Sequence, residues 1–202
     1  MALSVNGGVP YPHRMNLADR KRQLVVDELT EAALQLMAVK GFEVTTVDEI
    51  VATAGVSRRT FFRYFASKED VLVQLLAYLG DVMRDTIASR PPAEPPAVVL
   101  RHALAEAIDD CRDSRDKALR VVQLVLVTPS LLARFLERQS QWQTMLADAL
   151  TARGVEPFRA DLAAGTALAA FVTVLRRWSA PGATDDPVAL LDEAFVYLGP
   201  AL

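Results

Sequence analysis

The chain has 202 residues, 51% of them hydrophobic and 23% charged, a balance that suits one or two folded domains with a sizeable core and excludes an extended disordered polymer. Its formal net charge of −3 argues against indiscriminate nucleic-acid binding. The single cysteine, Cys111, excludes an internal disulfide, and with only His13 and His102 as histidines a Cys/His zinc site cannot be assembled; no metal and no cofactor is expected, and a reducing cytoplasm fits this usage.

Residues 1–16 contain Gly7, Gly8, Pro10 and Pro12 and read as a mobile arm, with Arg14 either near phosphates or simply solvated. They lack a charged start followed by an apolar core, so no secretory signal is expected. Over 17–40 the residues Leu24, Leu29, Ala33, Leu36 and Met37 form a helical apolar stripe that Gly41 ends. Arg20, Lys21 and Arg22 crowd the start of that helix, against its dipole, which suits an external anion or a solvated face. Phe42 and Val44 are expected to plug a small core.

The stretch 46–68, TVDEIVATAGVSRRTFFRYFASK, predicts two short helices around a tight turn. Thr46 and Glu49 have capping-box spacing, and Val47, Ile50, Val51 and Ala54 recur at helical intervals. Gly55 ends the first helix in a left-handed conformation and Ser57 caps the next. Phe61 and Phe65, four apart, share a buried face, which turns Arg58, Arg59, Thr60, Arg63 and Tyr64 outward. Between 14 and 68 there are nine Lys and Arg against seven Asp and Glu, whereas the remainder carries 13 against 18. The cationic turn therefore sits on an otherwise acidic chain, and three arginines on one exposed helix suit a DNA major groove.

The run GVSRRTFFRYFASKED, preceded by GFEVTTVDEI, resembles the DNA-binding end of the TetR family of bacterial transcriptional regulators over about residues 20–76. The resemblance implies an all-α fold with a three-helix helix-turn-helix domain at 17–66 and a helical ligand-binding and dimerisation domain at 67–202. The helix 67–89 connects the two. It also implies DNA contacts from Thr46, Ser57, Arg58, Arg59, Thr60, Arg63, Tyr64 and Lys68. Arg59 is the first choice for gripping guanine, while Thr46, Tyr64 and Lys68 are expected on phosphates. Phe62 departs from the tyrosine that many relatives carry and so lacks one phosphate hydroxyl.

A proline-rich break, RPPAEPP at 90–96, precedes further helices expected at 97–112, 117–127, 128–153, 157–178 and 187–198. The run LAAGTALAAFVTVL at 162–175 is too short for a bilayer, which needs roughly 20 residues, and predicts a buried helix. Residues 121–127 are apolar nearly all round and are expected to be wrapped by other helices. Around them stand Phe135, Trp142, Met145, Phe171 and Trp178, with His102, Gln123 and Thr173 as scattered polar groups. This set suits a small-molecule cavity or an ordinary helical core, and the resemblance favours the cavity. Ala163, Ala164, Gly165 and Ala167, with Leu190, Leu191, Phe195 and Leu198, suit a four-helix dimer interface or packing within one chain.

No G-x-S-x-G, H-E-x-x-H, phosphate-loop or dinucleotide fingerprint is present, and the paired acids Asp109-Asp110 and Asp185-Asp186 read as solvated polarity. No catalytic residue is assigned and an enzyme is not expected. The expected protein is a homodimeric repressor of a near-palindromic DNA operator, released by a small apolar or aromatic effector, with no membrane partner. The rival is a helical carrier or enzyme that keeps the same head without acting through DNA.

Overall fold

The computed structural model describes residues 17–109 and 115–199, apart from the side chains at 17–20, 23, 73, 75–77 and 117; all regular structure among the described residues is helical. The expected arm over 1–16, Asp110 and Cys111 fall outside them, as do the side chains of Arg20, Leu75 and Leu76. In chain order the helices are α1 Leu17–Lys40, α2 Val47–Thr53, α3 Arg58–Tyr64, α4 Lys68–Ser89, α5 Pro96–Asp109, α6 Arg115–Val127, α7 Pro129–Ala152, α8 Pro157–Trp178 and α9 Pro187–Leu198. The described part of α5 runs to Asp109, so its expected end at 112 lies outside the described residues, and α6 is already helical at Arg115, ahead of the expected 117.

The small head, α1 to α3, is built by its caps. Thr46 and Glu49 form a complete capping box at the start of α2, and the Ser57 side chain accepts from the Thr60 backbone N–H at the start of α3. Between them Gly55 takes φ +66°, so that its N–H reaches Ala52 O at 3.3 Å and the Val56 N–H reaches Val51 O at 3.0 Å, the paired bonds of a Schellman turn. That turn sets the angle at which α3 leaves α2. Phe61 and Phe65 are 0% and 1% exposed and pack with ring centroids 5.4 Å apart; Ile50, Phe42, Leu29 and Met37 are buried with them.

Two expected core residues are not in it. Leu24 is 64% exposed and Val44 is 63% exposed. Thr45 takes the place expected of Val44, because its hydroxyl can satisfy itself by donating to Gly41 O at 2.8 Å and its methyl is then free to pack.

In the body α7 lies along α8, α4 packs on α5 and α7, and α8 packs on α9; α1 reaches the body through α4 and α6. The connecting helix α4 is tied at both ends. At its start Lys68 donates to the carbonyls of Phe42, Glu43 and Thr45, and at its end the Arg153 guanidinium donates to the carbonyls of Ile87, Arg90 and Pro91. Helix ends and turns leave carbonyl lone pairs that cationic donors from neighbouring elements can take up; Ile87 O and Pro91 O accept in addition from the backbone N–H groups of Arg90 and Glu94.

The small residues of α8 are used within the chain. Ala160, Ala163, Ala164 and Ala167 are buried against the neighbouring helices, and Gly165 lies so close to Gln143 of α7 that an added Cβ would meet its amide at 3.0 Å. Of the two readings open for this stripe, the burial within the chain favours packing inside one protomer, and the same holds for Leu191 and Phe195, which are 0% and 8% exposed. What α8 and α9 leave outside is instead Phe158, Leu162, Val196 and Tyr197. By length and composition α8 is apolar enough to cross a membrane, yet about half of that stretch is buried inside the protein. Helix α6 is less enclosed than expected: Val121 and Val125 are buried, but Val127 is 77% exposed.

Candidate nucleic-acid interface

Helix α3 has seven residues, about 10 Å at 1.5 Å per residue, short enough to enter a major groove about 12 Å wide. Its buried phenylalanine fixes which side chains face out. Arg58 pairs with Asp48 of α2 at 3.0 Å, and its guanidinium lies 5.6 Å from the centroid of the half-exposed Phe62 ring. Both members of that ion pair are more than 60% exposed, so water screens it and little free energy opposes its exchange for another anion. Arg59 is exposed and makes no hydrogen bond or ion pair among the described residues.

At the far end of α3 the Arg63 guanidinium donates to the Tyr64 hydroxyl oxygen at 2.8 Å and lies 4.7 Å from the Tyr64 ring centroid. The phenol thus accepts from a cation while keeping its own proton to donate outward. Arg22, from the start of α1, brings a second guanidinium to 5.9 Å from the same ring. Arg22 was not assigned to the site from sequence; the cluster of cations at the start of α1 was the signal that could have placed it there. Ser57 and Thr60 hold each other, hydroxyl to hydroxyl, at 2.9 Å.

Two expected phosphate ligands are already engaged. The Thr46 hydroxyl works inside the capping box, where it lies 3.2 Å from the Glu49 carboxylate. That carboxylate also pairs with Lys40, whose hydrogen bond, together with that from the Thr46 backbone N–H, holds the Glu49 carboxyl below the usual carboxylate value. Lys68 is engaged more fully. Its ammonium has three protons and three carbonyl acceptors, Phe42 at 2.7 Å and Glu43 and Thr45 at 3.0 Å, and it sits 4.5 Å from the Phe42 ring centroid. Lys68 thus ties α4 to the turn before α2, and a phosphate would have to compete with these three carbonyls for its ammonium.

In the body a cavity of about 100 Å³ lies among α4 to α9. Of the eight residues expected to form it, Phe135, Trp142, Phe171 and Trp178 do line it, with Phe135 and Trp142 edge to face at 6.1 Å. Leu79, Val121, Val125 and Leu175 complete its apolar wall, and Arg115 and Asp186, 3.7 Å apart and each about half exposed, stand where it meets solvent.

The other four expected residues lie elsewhere. Met145 packs at the edge of the core, Gln123 donates to Ser179 O at 3.2 Å, and Thr173 is exposed with its hydroxyl given to Ala169 O. His102 faces a separate polar groove between α4 and α5, where burial and then the positive charges of Arg90 and Arg101 hold its imidazole below its ordinary pKa. Sequence reasoning also missed Gly80, against which the Trp142 indole rests so closely that a Cβ there would stand 2.6 Å from Nε1. A glycine inside a helical run, which costs about 1 kcal/mol relative to alanine, was the available signal.

Residues 29–75 match the family described as bacterial regulatory proteins, tetR family, and residues 94–202 match the MftR C-terminal domain. The chain is 33% identical to the HTH-type transcriptional regulator TcmR of Streptomyces glaucescens over 184 residues, which cover 86% of this chain and 81% of that protein. Among solved structures it is similar to the fatty acid degradation regulator FadR of Bacillus halodurans, with a TM-score of 0.65 at 22% identity over 87% of this chain and 98% of that one. The Thermus thermophilus FadR repressor in complex with lauroyl-CoA superposes with a TM-score of 0.54 at 27% identity, covering 86% of this chain and 92% of that one.

Proposed function

The chain belongs to the TetR family of bacterial transcriptional regulators, and from that premise we propose that it is a homodimeric repressor whose grip on DNA is released by a small molecule in the body cavity. The observation that carries the DNA-reading part is the state of α3: a capped, two-turn helix anchored by Phe61, with Arg59 exposed at its first turn and unengaged among the described residues. An arginine so placed can give two parallel hydrogen bonds to guanine O6 and N7 without first breaking a bond of its own. Arg58 can exchange Asp48 for DNA, and Tyr64 and Arg22 form a phosphate-facing end. Ser57 and Thr60 stand at the N-terminal edge of the same surface.

Exposed Phe158 and Leu162 of α8 and Val196 and Tyr197 of α9 support a twofold pairing of these two helices with their copies, since large apolar groups gathered on one side are costly to leave in water. Two recognition helices about 34–36 Å apart would then read successive major grooves of a near-palindromic operator. Acting on DNA, such a protein works in the cytoplasm. The cavity supports the effector role, because α4 carries both Leu79 in its wall and Lys68 on the head. An effector that favours a different placement of α4 changes the spacing of the two reading helices. The acyl-CoA ligand of the Thermus relative makes an amphiphile with an apolar tail one candidate class.

Footprinting the full-length protein on the DNA flanking its own gene, followed by titration of Arg59→Ala on the protected site, tests this reading. A protected inverted repeat is expected, with operator affinity reduced by about 1–3 kcal/mol per reader while random duplex is bound as before. Unchanged operator preference in Arg59→Ala would remove the base-reading role from that residue.

A further inference from the structure

Away from the Arg115–Asp186 pair where it meets solvent, the wall of the body cavity carries a buried polar group without a partner. Trp142 is 3% exposed, and its indole Nε1–H has no hydrogen-bond partner among the described residues. A buried donor left unpaired is costly, and native proteins seldom tolerate one without a use for it. The same ring edge leans on Gly80 of α4, where an added Cβ would stand 2.6 Å from Nε1. Trp142 is therefore held by contact alone on that edge, with no hydrogen bond to lose if it moves.

Volume points the same way. The cavity encloses about 100 Å³, whereas an apolar cavity of about 150 Å³ is what accepts a benzene molecule in a protein core. Any effector larger than a single ring must displace part of the wall. Trp142 lines that wall with its Nε1–H bonded to nothing among the described residues, so shifting this ring breaks no hydrogen bond.

Building on the proposed effector role of the cavity, we infer that its ligand is an apolar molecule with a hydrogen-bond-accepting oxygen, and that the Trp142 indole N–H, drawn off Gly80 as the ligand enters, donates to that oxygen. The ligand gains a buried hydrogen bond that the free protein lacks. Apolar molecules of the same shape without an acceptor gain only the contact area, so the site discriminates by chemistry as well as by size. Because Gly80 belongs to α4, the movement that makes the donor available is also the movement that relieves or loads the connecting helix.

The test uses the full-length chain and two probes of nearly one shape, acetophenone and α-methylstyrene, of which only the first carries a carbonyl oxygen. Binding is followed by the indole N–H resonances, two in this protein because it has two tryptophans, with Trp142→Phe identifying which belongs to Trp142. Acetophenone is expected to bind about tenfold more tightly than α-methylstyrene and to move the Trp142 N–H resonance downfield, with slower exchange against solvent. In Trp142→Phe the preference between the probes is expected to vanish. Equal affinity of the native protein for both, or binding of acetophenone that leaves the Trp142 N–H unmoved, overturns the donor role while leaving the cavity as an effector site. Should Trp142→Phe fail to fold, the native resonances and the two affinities decide alone. Failure of both probes to bind at millimolar concentration overturns the cavity reading itself.

Discussion

The head and the body solve opposite problems with the same helical material. In the head, polar groups that hold the fold are satisfied inside it, by the Thr46–Glu49 box, the Ser57 cap and the three carbonyls on Lys68, and its working groups point into water. In the body, the aromatic groups of the cavity are enclosed, and one of them, Trp142, keeps an unpaired donor next to a glycine gap. A surface built to meet a rigid, charged duplex gains from having no slack, while a cavity meant to respond to a ligand needs a part that can move at small cost. The difference between the regions is thus one of preorganisation against compliance.

Four changes would sharpen or break this contrast. The largest effect is expected from Phe61→Ala, which empties the centre of the head and should cost about 3–5 kcal/mol, unfolding α1 to α3 in urea while the body's near-ultraviolet signal persists. Lys68→Met removes the tie between α4 and the turn before α2. It should lower head stability by about 1.5–3 kcal/mol and leave the salt dependence of DNA binding unchanged. A salt slope reduced by about one unit would return Lys68 to the phosphate role.

Gly80→Ala comes next. The new methyl collides with Trp142, and the cost of overpacking, about 1–3 kcal/mol, is set against a gain of about 1 kcal/mol in helix propensity. Thermal melting should show a net loss of stability, and an altered Trp142 fluorescence should show that the ring has moved. A plain gain in melting temperature would mean that the indole does not depend on that gap.

The smallest effect is electrostatic. The Glu49 carboxyl is held below its usual value first by the Lys40 hydrogen bond and then by the Thr46 backbone N–H, so the folded state favours its charged form. Its contribution is fully present above the ordinary glutamate value of about 4.3 and is lost as pH falls through the lower folded value. Protection of the Thr46 amide, relative to the unstructured exchange rate at the same pH, should fall in that acidic window in the native protein, and in Glu49→Ala it should be lower above the window and converge on the native value below it.

How far residues alone disclosed these regions follows the range of the interactions involved. Thr46, Gly55, Ser57, Phe61 and Phe65 were legible because caps, a left-handed turn and an i, i+4 pair act within one or two helical turns. Val44 and Leu24 misled because an apolar side chain near a core is counted into it by spacing, although a neighbouring threonine with its hydroxyl satisfied can pack there instead. The internal tie of Lys68 was not legible for a related reason: the carbonyls it bonds come from residues more than twenty positions away.

In the body the gap was wider. Four of the eight expected cavity residues line it, and His102, Gln123, Met145 and Thr173 lie elsewhere, since helical periodicity names a face without naming what it meets. The alanines of α8 showed that something packs closely there but not whether it belongs to the same chain or to a copy.

By itself the sequence determined that the chain is helical, how α2 and α3 are capped, and that a cationic, exposed helix stands on a capped turn, because each of these depends on neighbours along the backbone. Tertiary structure alone decided which way Lys68 points, which aromatic rings enclose a void and that Trp142 rests on Gly80, because these depend on what the folded chain brings together across long separations.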